Sequence, residues 1–416
     1  MSLREGPAAR PMVHVARQAI LDARGHVVGY ELLYRGSVRD TACTIEGDVA
    51  GASVLTGAML DLRLDTLTDG RTPFINVTRS MLLNGIATLL RPSLAVFELR
   101  EDITIDEEVV EACRTLFDSG YRLALDDFVP GSPAEAVVPF VSHVKADVLS
   151  LSRDEVTGLV RRLSPKGVTV VAEKVETREV FEWARDVGCG LFQGHYFRRP
   201  EMRSGAVVPT RHAMHLRLLA ALNQPTLSID RLEELVKQDA ALSLRVLQCI
   251  NSAAFPIRRE IKSIGEALVL LGVGPIRKWA SVWCLAQLNA GTTSELTTIA
   301  LLRARACELL GDEMDEADTG ELFLVGLCSM LEAILGRPMG EAIADLPLSD
   351  AAREALLGRD NALRSVLDSV IAYEDGGWED AVASAETIGA PEPQLQQAYT
   401  GALTWAHELT ATGFAA

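Results

Sequence analysis

The sequence predicts an α/β barrel of the TIM-like (β/α)8 kind followed by an all-α helical bundle, and three observations carry that expectation. Up to about Pro200, short β-rich apolar runs alternate with helix-period stretches. Beyond Thr210 the strand-like runs vanish and helix-period apolar spacing takes over. The strands of the first half number about eight, which is the number that closes a parallel barrel. Continuous apolar strands separated by helices indicate a parallel sheet covered on both faces. An open doubly wound sheet loses ground because no glycine-rich dinucleotide turn follows the first strand.

Taken in order, residues 1–11 (MSLREGPAARP) carry no apolar segment of their own and predict a flexible tail rather than a signal peptide. A first strand is expected near Val13–Ile20. Further strands are expected at His26–Leu33, Pro73–Val77, Leu94–Leu99, Arg122–Phe128, His143–Val148, Val168–Glu173 and Gly190–Phe197. Helical patterns lie between them, as at Asp106–Phe117 and Thr177–Val187. The domain boundary is expected near Ser204–Thr210, giving a barrel over 12–204 and a helical domain over 205–416. In the latter, helices are expected at His212–Leu222, Ser228–Lys237, Ala240–Asn251, Ile264–Leu271, Ile276–Leu288, Glu295–Leu310 and Gly320–Leu335, and again through 350–412. Breaks are expected at Asn223-Gln224-Pro225 and Gly311-Asp312.

Composition narrows the function. The net charge is −17, and neither half is basic: residues 1–200 hold 23 Lys+Arg against 28 Asp+Glu, the remainder 17 against 29. A duplex nucleic-acid binder needs basic charge to replace phosphate counterions, so DNA is not an expected partner. No uninterrupted apolar stretch is long enough to cross a bilayer, so no membrane is expected either. The seven cysteines are scattered, form no CxxC pair and sit mostly in apolar runs. They predict buried reduced thiols and a cytoplasmic protein.

The polar residues of the first half fall at strand ends. Glu31, Asn76, Glu98, Asp126, Asp127, Lys145, Glu173, Glu176 and Gln193 each lie at or near the C-terminal end of a predicted strand. In a (β/α)8 barrel those ends converge on one mouth. Acids gathered there repel one another unless cations neutralise them. Hard oxygen donors suit Mg²⁺, Mn²⁺ or Ca²⁺ rather than zinc. Two such metals close together clamp the attacking and leaving oxygens of a phosphodiester.

The motifs in order are GYELLYR at 29–35, FINVT at 74–78, FELRE at 97–101, LDDF at 125–128, KAD at 145–147, AEKVET at 172–177 and FQGHYF at 192–197. Together they resemble the EAL family of cyclic-di-GMP phosphodiesterases, and an ordered series is far more specific than any single motif. The resemblance implies that Glu31, Asn76, Glu98 and Asp126 bind a first metal. Asp127, with Glu176 or the bridging Asp126, would help hold a second. Lys145 would orient the attacking water, Glu173 would be its general base, and Arg35 and Gln193 would contact the nucleotide. The implied cofactor is Mg²⁺ or Mn²⁺ at a two-metal site, with Ca²⁺ inhibitory.

Three departures stand out. The family's DDFGTG loop reads DDFVPG, and Pro130 lacks an N–H. Arg100 replaces a threonine two residues after Glu98, where strand periodicity places it on the same face as a candidate phosphate contact. Lys174 replaces a glycine beside Glu173. These leave open an alternative, a catalytically inactive receptor or scaffold acting through protein contacts.

The runs at 238–255 and 261–279 resemble the HDOD domain, which lacks the His-Asp pair of the related HD hydrolases. The seven histidines are His14, His26, His143, His195, His212, His215 and His407, so none lies between 215 and 407. A histidine-built dimetal site in that helical core is excluded. His212 and His215 share i, i+3 spacing, the geometry of a ligand pair or of two solvated side chains. Asn251, Ser252, Gly272 and Gly274 read as helix ends. The resemblance implies a regulatory output module with an unknown protein partner, and EAL barrels also pair as homodimers.

Overall fold

The computed structural model describes residues 13–36, 64–198 except 86, 87 and 89, 228–237, 263–273, 294–312 and 319–411 except 345 and 347, with isolated residues between 218 and 284. Arg35, Cys43, His212, His215, Cys249, Asn251, Ser252 and Gly274 are among those whose side chains or positions lie outside the described residues, as do the 1–11 tail, the expected boundary, the expected helix at 240–251 and most of those at 212–222 and 276–288.

Eight strands, β1 (Val13–Leu21), β2 (Val27–Gly36), β3 (Thr72–Val77), β4 (Val96–Leu99), β5 (Arg122–Leu125), β6 (His143–Asp147), β7 (Thr169–Glu173) and β8 (Leu191–Phe192), close into a barrel in chain order. From β2 to β8 neighbours run parallel, but β1 is antiparallel to both β2 and β8. The expected barrel was parallel throughout, and the departure has a local cause. Only the Asp22–His26 turn joins β1 to β2, whereas a parallel connection needs about a dozen residues or more. The Asp22 carboxylate accepts from the backbone N–H of Arg24 and His26 at 2.8 and 2.9 Å. Gly25, at φ +80°, makes the reversal without a Cβ clash.

Among the described residues, five barrel helices follow strands: α1 (Leu64–Thr68), α2 (Arg79–Leu83), α3 (Glu107–Asp118), α4 (Arg153–Leu163) and α5 (Arg178–Val187). Their starts are written in side-chain chemistry. The Asp106 carboxylate accepts from Val109 N–H at 3.0 Å, and Glu107 and Glu108 sit in the first turn of α3. Ser152 and Glu155 form a reciprocal capping box on α4. Thr177, expected near a helix start, caps α5.

The lumen is layered. Ile20, Phe74, Val96, Ala124 and Val171 form a small buried apolar cluster separate from the main core. Side chains two residues apart on a strand share a face. One step beyond Phe74, Val96, Ala124 and Val171 toward the strand C-termini therefore come Asn76, Glu98, Asp126 and Glu173. On antiparallel β1 the same step runs backward, from Ile20 to Gln18, which is in register with Glu31. An apolar plug thus underlies a polar mouth.

The second half is helical: α6 (Ile229–Lys237), α7 (Ile264–Leu271), α8 (Ser294–Asp312), α9 (Thr319–Cys328), α10 (Leu331–Leu335), α11 (Met339–Ala342), α12 (Asp350–Leu356), α13 (Ala362–Glu374), α14 (Trp378–Thr387) and α15 (Glu392–Ala411). The single helix expected over Gly320–Leu335 is two. It breaks after Cys328, where the Ser329 hydroxyl donates to the Gly326 carbonyl at 2.7 Å and competes with the helix ladder. The break expected at Gly311-Asp312 is instead the last turn of α8. A Cβ on Gly311 would run into Leu322, so this glycine serves close packing. Cys113, Cys189, Cys307 and Cys328 are buried, and burial pushes their thiols up to about 12, which keeps them inert.

The outer faces of β1 and β2 are covered by α8, α13 and α15. Buried His14 donates from Nε2 to Glu392 Oε1 at 2.7 Å and accepts at Nδ1 from the Tyr373 hydroxyl at 3.1 Å. Arg17 donates to the Leu67 carbonyl at 2.7 Å and Asp69 at 3.2 Å, with its guanidinium 4.3 Å above the Tyr30 ring centre. The Tyr30 hydroxyl donates to Glu295 Oε2 at 2.7 Å. His407 meets Asp69 at 3.0 Å.

Candidate functional site

The barrel mouth is organised around one ammonium. Lys145, on β6 and 1% exposed, points into the lumen. Its Nζ lies 3.0 Å from Glu31, 3.3 Å from Glu98, 2.9 Å from Asp126 and 2.8 Å from Glu173. Three strands and the end of a fourth therefore deliver four carboxylates to a single cation. Burial alone would deprotonate the lysine, but the four carboxylates outweigh it and hold its pKa well above the ordinary value.

One ammonium does not neutralise four acids, and their titration divides accordingly. Burial, together with the neighbouring acids, raises Glu98 well above the carboxylate range and raises Asp126 as well. Burial pushes Glu173 up to about 7 despite its contact with Lys145. Glu31 moves the other way. Burial opposes its charge, but Lys145 and the hydrogen bonds from Gln193 and Asn76 outweigh that and lower its pKa. Asn76 Nδ2 donates to Glu31 Oε1 at 3.0 Å, and Gln193 Nε2 donates to Glu31 Oε2 at 2.7 Å and to Gln18 Oε1 at 2.8 Å. Gly194, at φ +151°, follows Gln193 with its backbone pressed against Val175, where any Cβ would collide. That close approach holds the turn that presents Gln193.

A second, smaller cluster sits beside the first. Lys174 Nζ lies 2.6 Å from Asp147 Oδ2 and 3.5 Å from Asp127 Oδ1. Asp127 and Lys174 have φ of +40° and +55°, the left-handed region in which a non-glycine residue is strained by roughly 1–3 kcal/mol. Burial pushes the Asp147 carboxyl up, but hydrogen bonds from Lys174, Ser150 and the Leu149 backbone outweigh it and hold the group at about 2.

The structure brings Glu31, Asn76, Glu98, Asp126, Lys145, Glu173 and Gln193 together. Asp127 stands at the neighbouring cluster, and half-buried Glu176 lies on the loop between β7 and α5. Arg100 stands apart from the buried acids. β4 ends at Leu99, so strand alternation stops before it, and its exposed guanidinium bonds Asp102 at 3.1 and 3.2 Å. With Asp126, Asp127, Phe128 and Val129 it lines a cleft of about 310 Å³ at the rim. Gln18 was not anticipated. Its signal is legible only once β1 is known to be antiparallel, which sets it opposite Glu31.

The donors fit a hard cation in kind. All are oxygens, and Asn76 Oδ1 and Glu98 Oε1 are buried without a hydrogen-bond partner. As they stand, no three His, Cys, Asp or Glu side chains among the described residues are spaced to hold a metal ion. The Lys145 ammonium fills the centre around which they are arranged. A divalent cation requires the same carboxylates to close on it.

Comparison with known proteins gives the fold a family context. The EAL domain family model matches residues 56–200, and the HDOD domain model matches 208–335. Glu31 and its strand precede the matched EAL stretch. The chain is 31% identical to the protein YuxH of Bacillus subtilis (strain 168), over 95% of this chain and 98% of that one. It is 30% identical to the cyclic di-GMP phosphodiesterase CdgJ of Vibrio cholerae, over 95% of this chain and 93% of that one. Among solved structures, BlrP1 of Klebsiella pneumoniae in a manganese and cyclic-di-GMP complex is 25% identical. That match has a TM-score of 0.36 and covers 46% of this chain and 56% of that one.

Proposed function

The chain belongs to the family in which an EAL domain is followed by an HDOD domain, and from that premise we propose that its barrel binds cyclic-di-GMP and hydrolyses it to the linear dinucleotide with a divalent cation. The observation that carries this reading is the convergence of Glu31, Glu98, Asp126 and Glu173 on one buried ammonium in the barrel mouth. The phosphodiesterase CdgJ, alike over nearly its whole length, supports it.

Glu31, Asn76, Glu98 and Asp126 would hold the cation, Mg²⁺ or Mn²⁺, which would supply positive charge to the reacting phosphate. Glu173, with its pKa raised to about 7, is suited to take the proton of an attacking water as the water oxygen bonds phosphorus. Lys145, 2.8 Å from Glu173, holds the base in place and carries charge for the phosphorane-like transition state. As the bond from phosphorus to the ribose oxygen breaks, that oxygen takes a proton from solvent and the ring opens, and Glu173 later returns its proton to solvent. Gln193 and Gln18 line the same mouth as candidate nucleotide contacts, and Arg100 offers a guanidinium at the rim cleft.

Calorimetry of the full chain with cyclic-di-GMP in Ca²⁺, followed by product analysis in Mg²⁺ or Mn²⁺, tests the proposal. Binding followed by linear product is expected. Binding without product makes the barrel a receptor, and no binding overturns the nucleotide reading altogether.

The helical half is read as the regulatory output. Tyr30 bonds Glu295 of α8 on one side of β2, while its neighbour Glu31 enters the site on the other. Tyr30→Phe should therefore shift the affinity for cyclic-di-GMP, and an unchanged affinity would count against coupling through this strand.

A further inference from the structure

The two lysines of the barrel mouth differ in the charge they leave uncompensated. Lys145 faces four carboxylates and leaves three negative charges in excess if all are ionised. Lys174 faces two, Asp127 and Asp147, and leaves one. A doubly charged cation added to the first cluster reduces a large imbalance. The same ion added beside Asp127 meets a positive charge already in place, 3.5 Å from the carboxylate oxygen it would have to share.

Lys174 is also held where it is by more than chance contact. It adopts φ +55°, a conformation that glycine takes freely and lysine does not. Its ammonium is anchored by the short 2.6 Å bond to Asp147, itself ionised under all ordinary conditions. Ser150 and the Leu149 and Ser150 backbone N–H groups fix that carboxylate in turn. The side chain is 50% exposed, so it is the local ion pair rather than burial that positions it.

We propose that Lys174 is a built-in cation standing in for a second metal ion at Asp127, so that the barrel mouth takes up one divalent cation where the two-metal site implied by the sequence resemblance would take two. This rests on the metal-assisted reading above and deepens it. It makes Asp127 a partner of Lys174 rather than a metal ligand, and it assigns the catalytic charge to a single ion beside Lys145.

The test is a count of bound Mn²⁺ on the full chain, by equilibrium dialysis with elemental analysis, together with the electron paramagnetic resonance line shape. The wild-type chain should hold one ion with the signal of an isolated Mn²⁺. Lys174→Gly, which also relieves the backbone, and Lys174→Met should each take up a second ion and show spin coupling between the two. Lys174→Arg, which keeps the charge, should remain at one. Two coupled ions in the wild type, or a single ion in both neutral variants, would overturn the proposal. No ion in any of the chains would instead overturn the metal-assisted reading beneath it.

Discussion

Two buried polar clusters lie back to back on β1 and β2, and they are built on opposite plans. On the lumen side, Gln18 and Glu31 join a group in which acids outnumber the one central base, with Asn76 Oδ1, Glu98 Oε1 and Gln193 Oε1 lacking hydrogen-bond partners. On the outer side, Arg17 and Tyr30 are matched to acceptors on the α1 turn and α8, and His14, near the start of β1, to one on α15. In the outer cluster the Arg17 charge is met by Asp69, and although Arg17 Nε lacks a hydrogen-bond partner, that charge balance is what a structural seam requires. The inner one is short of positive charge and of donors, which is what a ligand site requires. Burial and polarity are common to both, so neither property separates function from architecture. The charge balance does.

The largest effect expected to sharpen this contrast is on catalysis. Glu173→Gln removes the base and should lower linear-dinucleotide formation by about 10³-fold with the fold unchanged by circular dichroism. Its seam counterpart, Glu392→Gln, should leave turnover within about two-fold. Equal losses in the two variants would erase the distinction.

Stability should separate the clusters next. Lys145→Met and Arg17→Met each leave buried charge uncompensated, and each should cost roughly 3–5 kcal/mol in urea unfolding. Only the Lys145→Met loss should be recovered by adding Ca²⁺, because only the lumen presents acids that a cation can reach. Recovery of both, or of neither, would break the comparison.

A smaller effect belongs to His143, which lies beneath the mouth with its ring 5.3 Å from Phe74. Burial, with Arg122 adding to it, pushes its pKa down from 6.5 to about 4. The unfolded chain therefore takes up the proton first as pH falls, and stability is lost between pH 6.5 and about 4. The loss should be on the order of 3 kcal/mol, and His143→Phe should flatten that limb of the stability profile. Smallest is Tyr30→Phe, which deprives Glu295 of one donor and should cost about 1–2 kcal/mol in the same unfolding measurement. A negligible cost would show that the seam holds without this bond.

Much of the lumen was legible in the sequence, because strand periodicity is local. Knowing that Val96 and Val171 face inward places Glu98 and Glu173 two residues on, without any knowledge of their neighbours. The helix start at Thr177 was readable for the same reason. Where an element stops was harder to read. Strand periodicity predicts the face of Arg100 but not its partner, because β4 ends one residue before it and its guanidinium bonds Asp102 in the loop that follows. The antiparallel sense of β1, and with it the place of Gln18, depended on the length of one turn. The seam was not legible at all. His14 and Glu392 are 378 positions apart and Tyr30 and Glu295 are 265, and no spacing rule links residues at that distance.

The seam also bears on how such a protein can be inherited. Domains joined by a linker are ordinarily exchangeable, and a barrel can be moved from one architecture to another intact. Here the first two strands of the barrel keep His14, Arg17 and Tyr30 out of water only because helices from the far end of the chain lie over them. A barrel transplanted without those helices would keep the acceptors of Arg17, on its own α1 turn, but would carry a wet imidazole and a phenol across its flank, and a new partner would have to supply acceptors for both. The two halves are therefore expected to travel and diverge together, with Tyr30 and Glu295, or His14 and Glu392, changing as pairs.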